Sequence, residues 1–352
     1  MANVAQLTEF DEIVDVRTPA EFAEDHVPGA VNRPVLSDEE RSRVGILYKQ
    51  VSAFTGRKVG AALVSRNIAT HVEASFMDKP KSWRPLVYCW RGGKRSEAMV
   101  HVLREIGWDA QRLEGGYRAY RRAVVAELPQ LAQRYRMCVV CGLTGSGKSL
   151  LLEALDRLGA QVLDLEKLAA HRGSVLGNLP HEAQPAQKMF ESGVWWRLRS
   201  FDPQQTVFVE SESKRIGSLH VPDELLISMW GSECIWVETD TPTRVALLKE
   251  QYGHFLADPT LLGKQLDCLM QLHGRAAIER WKALAQRGEW DPLVRELLER
   301  HYDPAYTHSI VSHYPALGRA RRVRLSSPAQ GDLASVGRNV LDTHASATVP
   351  PS

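Results

Sequence analysis

Two short stretches of this 352-residue chain combine residue types that can do chemistry. The first is Gly142-Leu143-Thr144-Gly145-Ser146-Gly147-Lys148-Ser149, which fits G-x-x-x-x-G-K-[ST]. Gly142, Gly145 and Gly147 let the backbone amides around Thr144 and Ser146 converge on an anion. Lys148 adds a point charge, the helix that follows points its positive end at the same spot, and the Ser149 hydroxyl is compatible with Mg²⁺. The second is Val87-Tyr88-Cys89-Trp90-Arg91-Gly92-Gly93-Lys94-Arg95-Ser96. A thiol at the end of an apolar strand, beside Arg91, Lys94, Arg95 and a helix N-terminus, is favoured as thiolate, and the loop amides can hold an oxyanion next to it. Cys89, with Arg91 and Arg95, is the expected catalytic group.

An ATPase normally ends a second apolar strand in aspartate, to orient a metal. Here Thr206-Val207-Phe208-Val209-Glu210 and Ile235-Trp236-Val237-Glu238 both end in glutamate. Phosphate binding is expected; nucleotide hydrolysis does not follow from it, since a diphosphate-bearing substrate satisfies the same loop. Asp164, which closes the strand after the loop's helix, is a candidate contact. Glu210, Glu212, Ser213 and Arg215 fall at the carboxyl edge of a sheet, where α/β proteins bind ligands. His171 and Arg172 sit in a loop able to reach phosphate or RNA. Trp195 and Trp196 read as core or as the lining of an apolar pocket, and Arg319, Arg321, Arg322 and Arg324 as a solvated run or a path for an RNA backbone. Cys138 and Cys141 alternate along a strand and read as packing residues. No metal site is expected.

The elements that position these groups alternate strand and helix, which implies parallel sheets. Strands are expected at Glu12–Val16, Pro85–Tyr88, Met137–Cys141, Gln161–Leu163, Thr206–Val209 and Cys234–Val237. Helices are expected at Ser96–Ile106, from Tyr117 to about Leu128 with Pro129 as a stop, and at Ser149–Leu158; residues 242–300 read as largely helical. The organisation is a first α/β domain over 1–130, a second over 131–340 with a helical C-terminal part, and a flexible tail over 341–352. The near balance of 44 basic and 42 acidic residues demands no nucleic-acid partner. Five scattered cysteines and no apolar run of membrane length point to a reduced cytoplasmic protein and no membrane partner.

Asp15-Val16-Arg17-Thr18-Pro19-Ala20-Glu21-Phe22 and Asp25-His26-Val27-Pro28-Gly29-Ala30-Val31-Asn32 resemble the N-terminal signatures of rhodanese domains. Leu113-Glu114-Gly115-Gly116 resembles their closing motif, and Cys89 falls where their persulfide-forming cysteine falls. The loop from Cys89 to Arg95 is C-x5-R, one residue longer than in many single-domain rhodaneses and similar to rhodanese-fold phosphatases. A rhodanese-like domain fused to a P-loop NTPase-like domain resembles the tRNA 2-selenouridine synthase family, with His171-Arg172-Gly173-Ser174 and Val209-Glu210-Ser211-Glu212-Ser213-Lys214-Arg215-Ile216-Gly217 adding to the likeness. The resemblance implies replacement of sulfur by selenium in wobble 2-thiouridine of tRNA. It also implies selenophosphate and geranyl diphosphate as co-substrates, an S-geranylated intermediate, no tightly bound cofactor, and Mg²⁺ as an optional ion. The rival expectations are a C-x5-R phosphatase joined to a kinase-like domain, and an RNA-binding adaptor without activity.

Overall fold

The computed structural model describes residues 1–326 and 330–346. The chain divides into two compact units, Met1–Leu128 with Ala186–Trp196, and Pro129–Pro185 with Arg197–Ser352.

Unit 1 contains β1 (Glu12–Asp15), α1 (Pro19–Glu24), β2 (Val31–Asn32), α2 (Asp38–Ile46), a π-helical turn (Leu47–Val51), α3 (Ala53–His71), β3 (Pro85–Tyr88), α4 (Lys94–Ile106), β4 (Gln111–Arg112) and the start of α5 (Gly116–Arg134). The four strands are parallel, in the order β2-β1-β3-β4. Strand β3 is apolar and buried throughout, as a central parallel strand covered on both faces must be. Val14, Val87, Met99, Leu103, Phe76, Trp83 and Trp108 fill the core around it. Helix α1 begins with Thr18 and Glu21 in a reciprocal capping box and Pro19 in the first turn.

The expected stop at Pro129 does not occur, because α5 continues to Arg134 with the proline inside it. Leu128, Leu131, Ala132 and Tyr135 are all buried at helical spacing. Their packing outweighs the roughly 3 kcal/mol that an interior proline costs.

Unit 2 runs through β5 (Met137–Cys141), α6 (Lys148–Arg157), β6 (Gln161–Leu163), α7 (Leu165–Leu168) and α8 (Gln187–Arg199), whose residues up to Trp196 belong to unit 1. It continues through β7 (Val207–Glu210), the hairpin β8 (Arg215–Ile216) and β9 (Leu219–His220), α9 (Asp223–Trp230) and β10 (Glu233–Glu238). A helical stretch follows: α10 (Thr241–Gln251), α11 (Gly253–Ala257), α12 (Pro259–Leu266), α13 (Met270–Gln286), α14 (Trp290–Leu297) and α15 (Asp303–His313), and then β11 (Arg321–Arg324) and α16 (Gln330–Ser346).

The five-stranded sheet is parallel, in the order β11-β10-β5-β7-β6. Chain order reverses beside β5, so the glycine loop opens at the sheet's switch point, the usual place for a ligand. Leu151, Leu152 and Leu155 of α6 and Leu333 and Val340 of α16 pack against Cys138, Val140, Phe208, Ile235 and Val237. Residues 341–346, expected as tail, continue α16, and 347–352 lie outside the described residues. Among the described residues no helix is long and apolar enough to cross a membrane.

Candidate phosphate and cysteine sites

In unit 2 the loop after β5 leads directly into α6, with Gly147 as N-cap. Its carbonyls are held from outside the loop. Arg244 Nε donates to Thr144 O at 2.9 Å while its guanidinium pairs with Asp303, and Thr239 Oγ1 donates to Ser146 O at 2.7 Å. Lys148 Nζ donates to Gly142 O at 2.8 Å and lies 5.1 Å from the centre of the Tyr306 ring. The Tyr306 hydroxyl accepts from Gly142 N–H at 3.2 Å and shares a 2.6 Å hydrogen bond with Ser211.

Carboxyls gather beside Lys148. Ser149 Oγ donates to Glu166 Oε2 at 3.0 Å, Glu166 N–H donates to Glu210 Oε1 at 2.7 Å, and Glu166 and Glu212 share a hydrogen bond. Burial raises the pKa values of all three carboxyls; the charges of neighbouring carboxylates add to it for Glu210 and Glu212, which are raised strongly, whereas for Glu166 the charge of Lys148 and the hydrogen bond from Ser149 oppose it. Burial also lowers the Lys148 pKa, against the pull of the surrounding glutamates. Glu210 Oε2 and Ser146 Oγ are buried without a hydrogen-bond partner.

Lys148, Ser149, Glu166, Glu212 and Tyr306 line a cleft of about 680 Å³ with Asp164, His171, Arg172, Ser213, Tyr252, Tyr302 and Tyr314. Glu210, expected as a substrate contact, does not line it, being buried against the Glu166 backbone. A second, smaller cavity of about 60 Å³ adjoins it, sharing Thr144, Leu248, Tyr252 and Tyr302 as walls. The rest of its lining is nearly all apolar: Leu176, Phe255, Leu256, Leu262, Trp290, Leu293, Val294, Leu297 and Leu298, with Lys249.

The weaker candidates separate. Asp164 faces the cleft and also caps α7, accepting from Lys167 N–H at 2.8 Å. His171 is buried and accepts from Gly173 N–H at 3.1 Å, inside a turn closed by Arg172 N–H to Gly177 O at 2.9 Å. The Arg172 guanidinium lies 4.8 Å from the centre of the Tyr252 ring, with Nη1 buried and without a partner. Ser213 lines the cleft and its hydroxyl closes a local turn onto Arg215 O at 2.7 Å. Arg215 does not line the cleft; it is exposed on β8 and donates to His220 at 3.2 Å, because the hairpin turns it away.

The tryptophan pair is not a unit 2 pocket. Trp195 is fully buried in unit 1, edge-on to Tyr120 at 5.5 Å, with Trp196 beside it. The C-terminal arginine run is an edge strand in which Arg322 pairs with Glu238 and Arg321 with Asn339. Glu166, Tyr252 and Tyr306 went unnoticed in the sequence. An acid two residues past Asp164 was a usable signal for the first; Tyr252, between α10 and α11, and Tyr306, on α15, come from segments remote in the chain.

In unit 1, Cys89 leaves β3 into the loop before α4 and is buried. Its Sγ accepts from Gly93 N–H at 3.2 Å and lies 3.2 Å from Ser96 Oγ. Gly116 presses on this loop: it has φ 59°, and a Cβ there would lie 2.2 Å from Cys89 O. Tyr117 N–H donates to Cys89 O at 2.8 Å, and the Tyr117 ring supports the Arg17 guanidinium at 4.0 Å. Arg17 in turn donates to buried Asp15 Oδ2 at 2.6 Å and to Asp25 O at 2.6 Å, so the N-terminal signatures brace the cysteine loop. Arg91 is exposed on the loop. Arg95 is turned toward α1, donating Nη1 to Glu21 Oε2 at 2.7 Å, rather than standing as a free phosphate clamp.

Comparison with known proteins follows this division. Residues 2–123 match the rhodanese-like domain, and residues 135–267 match the tRNA 2-selenouridine synthase AAA domain. A tRNA 2-selenouridine synthase of Hydrogenovibrio crunogenus is 36% identical over 329 residues, which cover 85% of this chain and 89% of that protein. Those of Nitrosomonas europaea and Bdellovibrio bacteriovorus are 36% and 34% identical, each over 68% of this chain. The match spans 63% and 64% of their own lengths, a little under two thirds. With both halves matched in this order and a relative aligned nearly end to end, the chain belongs to the tRNA 2-selenouridine synthase family.

Proposed function

We propose that this chain is a tRNA-modifying transferase that replaces sulfur by selenium in wobble 2-thiouridine, drawing selenium from selenophosphate after S-geranylation from geranyl diphosphate. One observation carries the choice of prenyl donor: the phosphate cleft and the apolar cavity share four wall residues. A ligand that fills both has an anionic head and a hydrocarbon tail, which a nucleotide lacks. The cavity has room for about four water-sized groups, of the order of one isoprene unit.

In this reading the base sulfur attacks C1 of the donor, the C–O bond breaks and diphosphate leaves. Lys148 and the loop amides stabilise the charge that develops on it. The Ser149 hydroxyl and the Glu166 carboxylate are the groups that would hold Mg²⁺, which would supply positive charge to the leaving diphosphate. No cluster of three acidic, histidine or cysteine ligands exists among the described residues. At the other site, the Cys89 loop offers amides and Arg91 to a phosphate-like anion carrying a soft nucleophile, with Cys89 as the selenium-handling group.

Mass spectrometry of wobble nucleosides from cells lacking the protein tests this, with complementation by wild type, Cys89→Ala or Lys148→Ala. Selenium is expected to be absent with both variants, and the geranylated nucleoside absent only with Lys148→Ala. Geranylated nucleoside surviving in Lys148→Ala would remove the diphosphate assignment.

A further inference from the structure

From Arg41 to Val72 the chain has six cations, Arg41, Arg43, Lys49, Arg57, Lys58 and Arg66, and no aspartate or glutamate, in a protein whose formal net charge is only +2. All six are exposed on α2, the π-helical turn and α3. Several cations elsewhere in unit 1, among them Lys79, Arg84, Arg95 and Arg121, meet carboxylates. None of these six does so among the described residues. The acids just before the stretch are engaged otherwise: Asp38 accepts from Ala20 N–H, Glu39 from the Ser37 hydroxyl, and Glu40 from Ser37 N–H and Asn67; just after it stands one exposed acid, Glu73.

Aromatic rings lie among the charges. Tyr48 is 47% exposed and Phe54 68%, with Lys58 Nζ 5.0 Å from the centre of the Phe54 ring. Gly56 brings the two helical segments together, since a Cβ there would lie 2.8 Å from Tyr48 Cα. Along α3 the exposed face reads Phe54, Arg57, Lys58, Ala61, Ala62, Ser65, Arg66, with small residues where a polymer backbone would have to come close. Ile46 and Val51 are also exposed at the turn between the helices, but the α3 face has one large apolar side chain among three cations, too polar to lie in a membrane. Unpaired cations with exposed rings suit a sugar-phosphate backbone with accessible bases.

We propose that the α2–α3 hairpin of unit 1 is an RNA-docking surface that holds the backbone of the tRNA substrate. The proposal rests on the reading of tRNA as substrate given above.

The test is fluorescence anisotropy of a labelled, unmodified tRNA transcript with the full chain at several salt concentrations. Arg57→Glu/Lys58→Glu/Arg66→Glu is expected to weaken binding at least about tenfold, and to reduce the slope of log affinity against log salt by about 2. Pyrophosphate binding and melting temperature should stay at the wild-type values. The milder Arg57→Gln/Lys58→Gln/Arg66→Gln should shift affinity the same way by less, and covers the case in which charge reversal disturbs folding. Phe54→Ala is expected to weaken binding about tenfold. Wild-type affinity and slope in both triple variants would overturn the docking surface while leaving tRNA as substrate. No tRNA binding by the wild type would overturn both readings together. Loss of binding to phosphatidylserine vesicles with tRNA binding intact would reassign the patch to a membrane and overturn the proposal.

Discussion

Arg95 donates to Glu21 at 2.7 Å, so the cation that closes the C-x5-R spacing is already matched by a carboxylate. The pair is largely shielded, with side chains 15% and 26% exposed. Burial pushes the Glu21 carboxyl up, but the hydrogen bond and charge of Arg95, helped by Thr18 N–H and Arg17, leave it below its ordinary value. A depressed carboxyl stabilises the fold above the unfolded pKa of about 4.3, and that contribution is lost as pH falls through the folded pKa. Glu21→Gln is expected to cost about 1 kcal/mol at pH 7, with the gap from wild type closing below about pH 4. Urea melts across this range check it; a gap that is constant with pH would contradict it.

Gly116→Ala should be among the most damaging single changes in unit 1, because its Cβ would stand 2.2 Å from Cys89 O in a left-handed backbone. A loss of about 3 kcal/mol or more is expected. Gly107→Ala is the control: its φ of 111° is also left-handed, but nothing lies within 4 Å of an added Cβ. It should cost about 1–2 kcal/mol. Equal losses in the two variants would show that backbone strain alone matters here.

Glu212 carries the opposite pH signature from Glu21. Burial first, then the charge of Glu166, holds its carboxyl well above the ordinary range, against Lys148. A raised pKa contributes stability below about pH 4.3 that is lost as pH rises through the folded value. Glu212→Gln removes this loss. Its melting temperature should exceed that of wild type by about 3 °C at pH 8, with a smaller difference at pH 5. A lower melting temperature at pH 8 would mean that the glutamate is held as a needed partner of Lys148.

Trp290 lines the apolar cavity but not the polar cleft. Trp290→Ala should extend the cavity and shift preference from a ten-carbon toward a fifteen-carbon diphosphate by about tenfold, comparable with burying two methylenes at about 0.8 kcal/mol each. Competition between the two donors in the geranylation step measures it. An unchanged ratio, with pyrophosphate binding retained, would place the tail elsewhere.

The glycine loop, its flanking strand and helix, and the Cys89 loop were legible because each is a local pattern. So was the absence of aspartate at the ends of β7 and β10, which left Glu210 and Glu238 in its place. What escaped was non-local. Tyr306 reaches Gly142 across 164 residues and Arg244 reaches Thr144 across 100, distances over which periodicity carries no information. Pro129 misled for a related reason: local propensity marked a stop, and the buried side chains of Leu131 and Ala132 overrode it. Arg95 has the spacing of a phosphate clamp, but its direction depends on Glu21, 74 residues earlier.

The assignment of Ala186–Trp196 to unit 1 bears on synthesis at the ribosome. Glu191 pairs there with Arg121, and Trp195 fills the space beside Tyr120. Residues 129–185 are translated before these groups exist, a delay on the order of several seconds at 5–20 residues per second. Unit 1 therefore emerges with a wall missing and is sealed only after the phosphate loop has been made. A gene fragment ending at Leu128 would encode a protein that never receives its last piece.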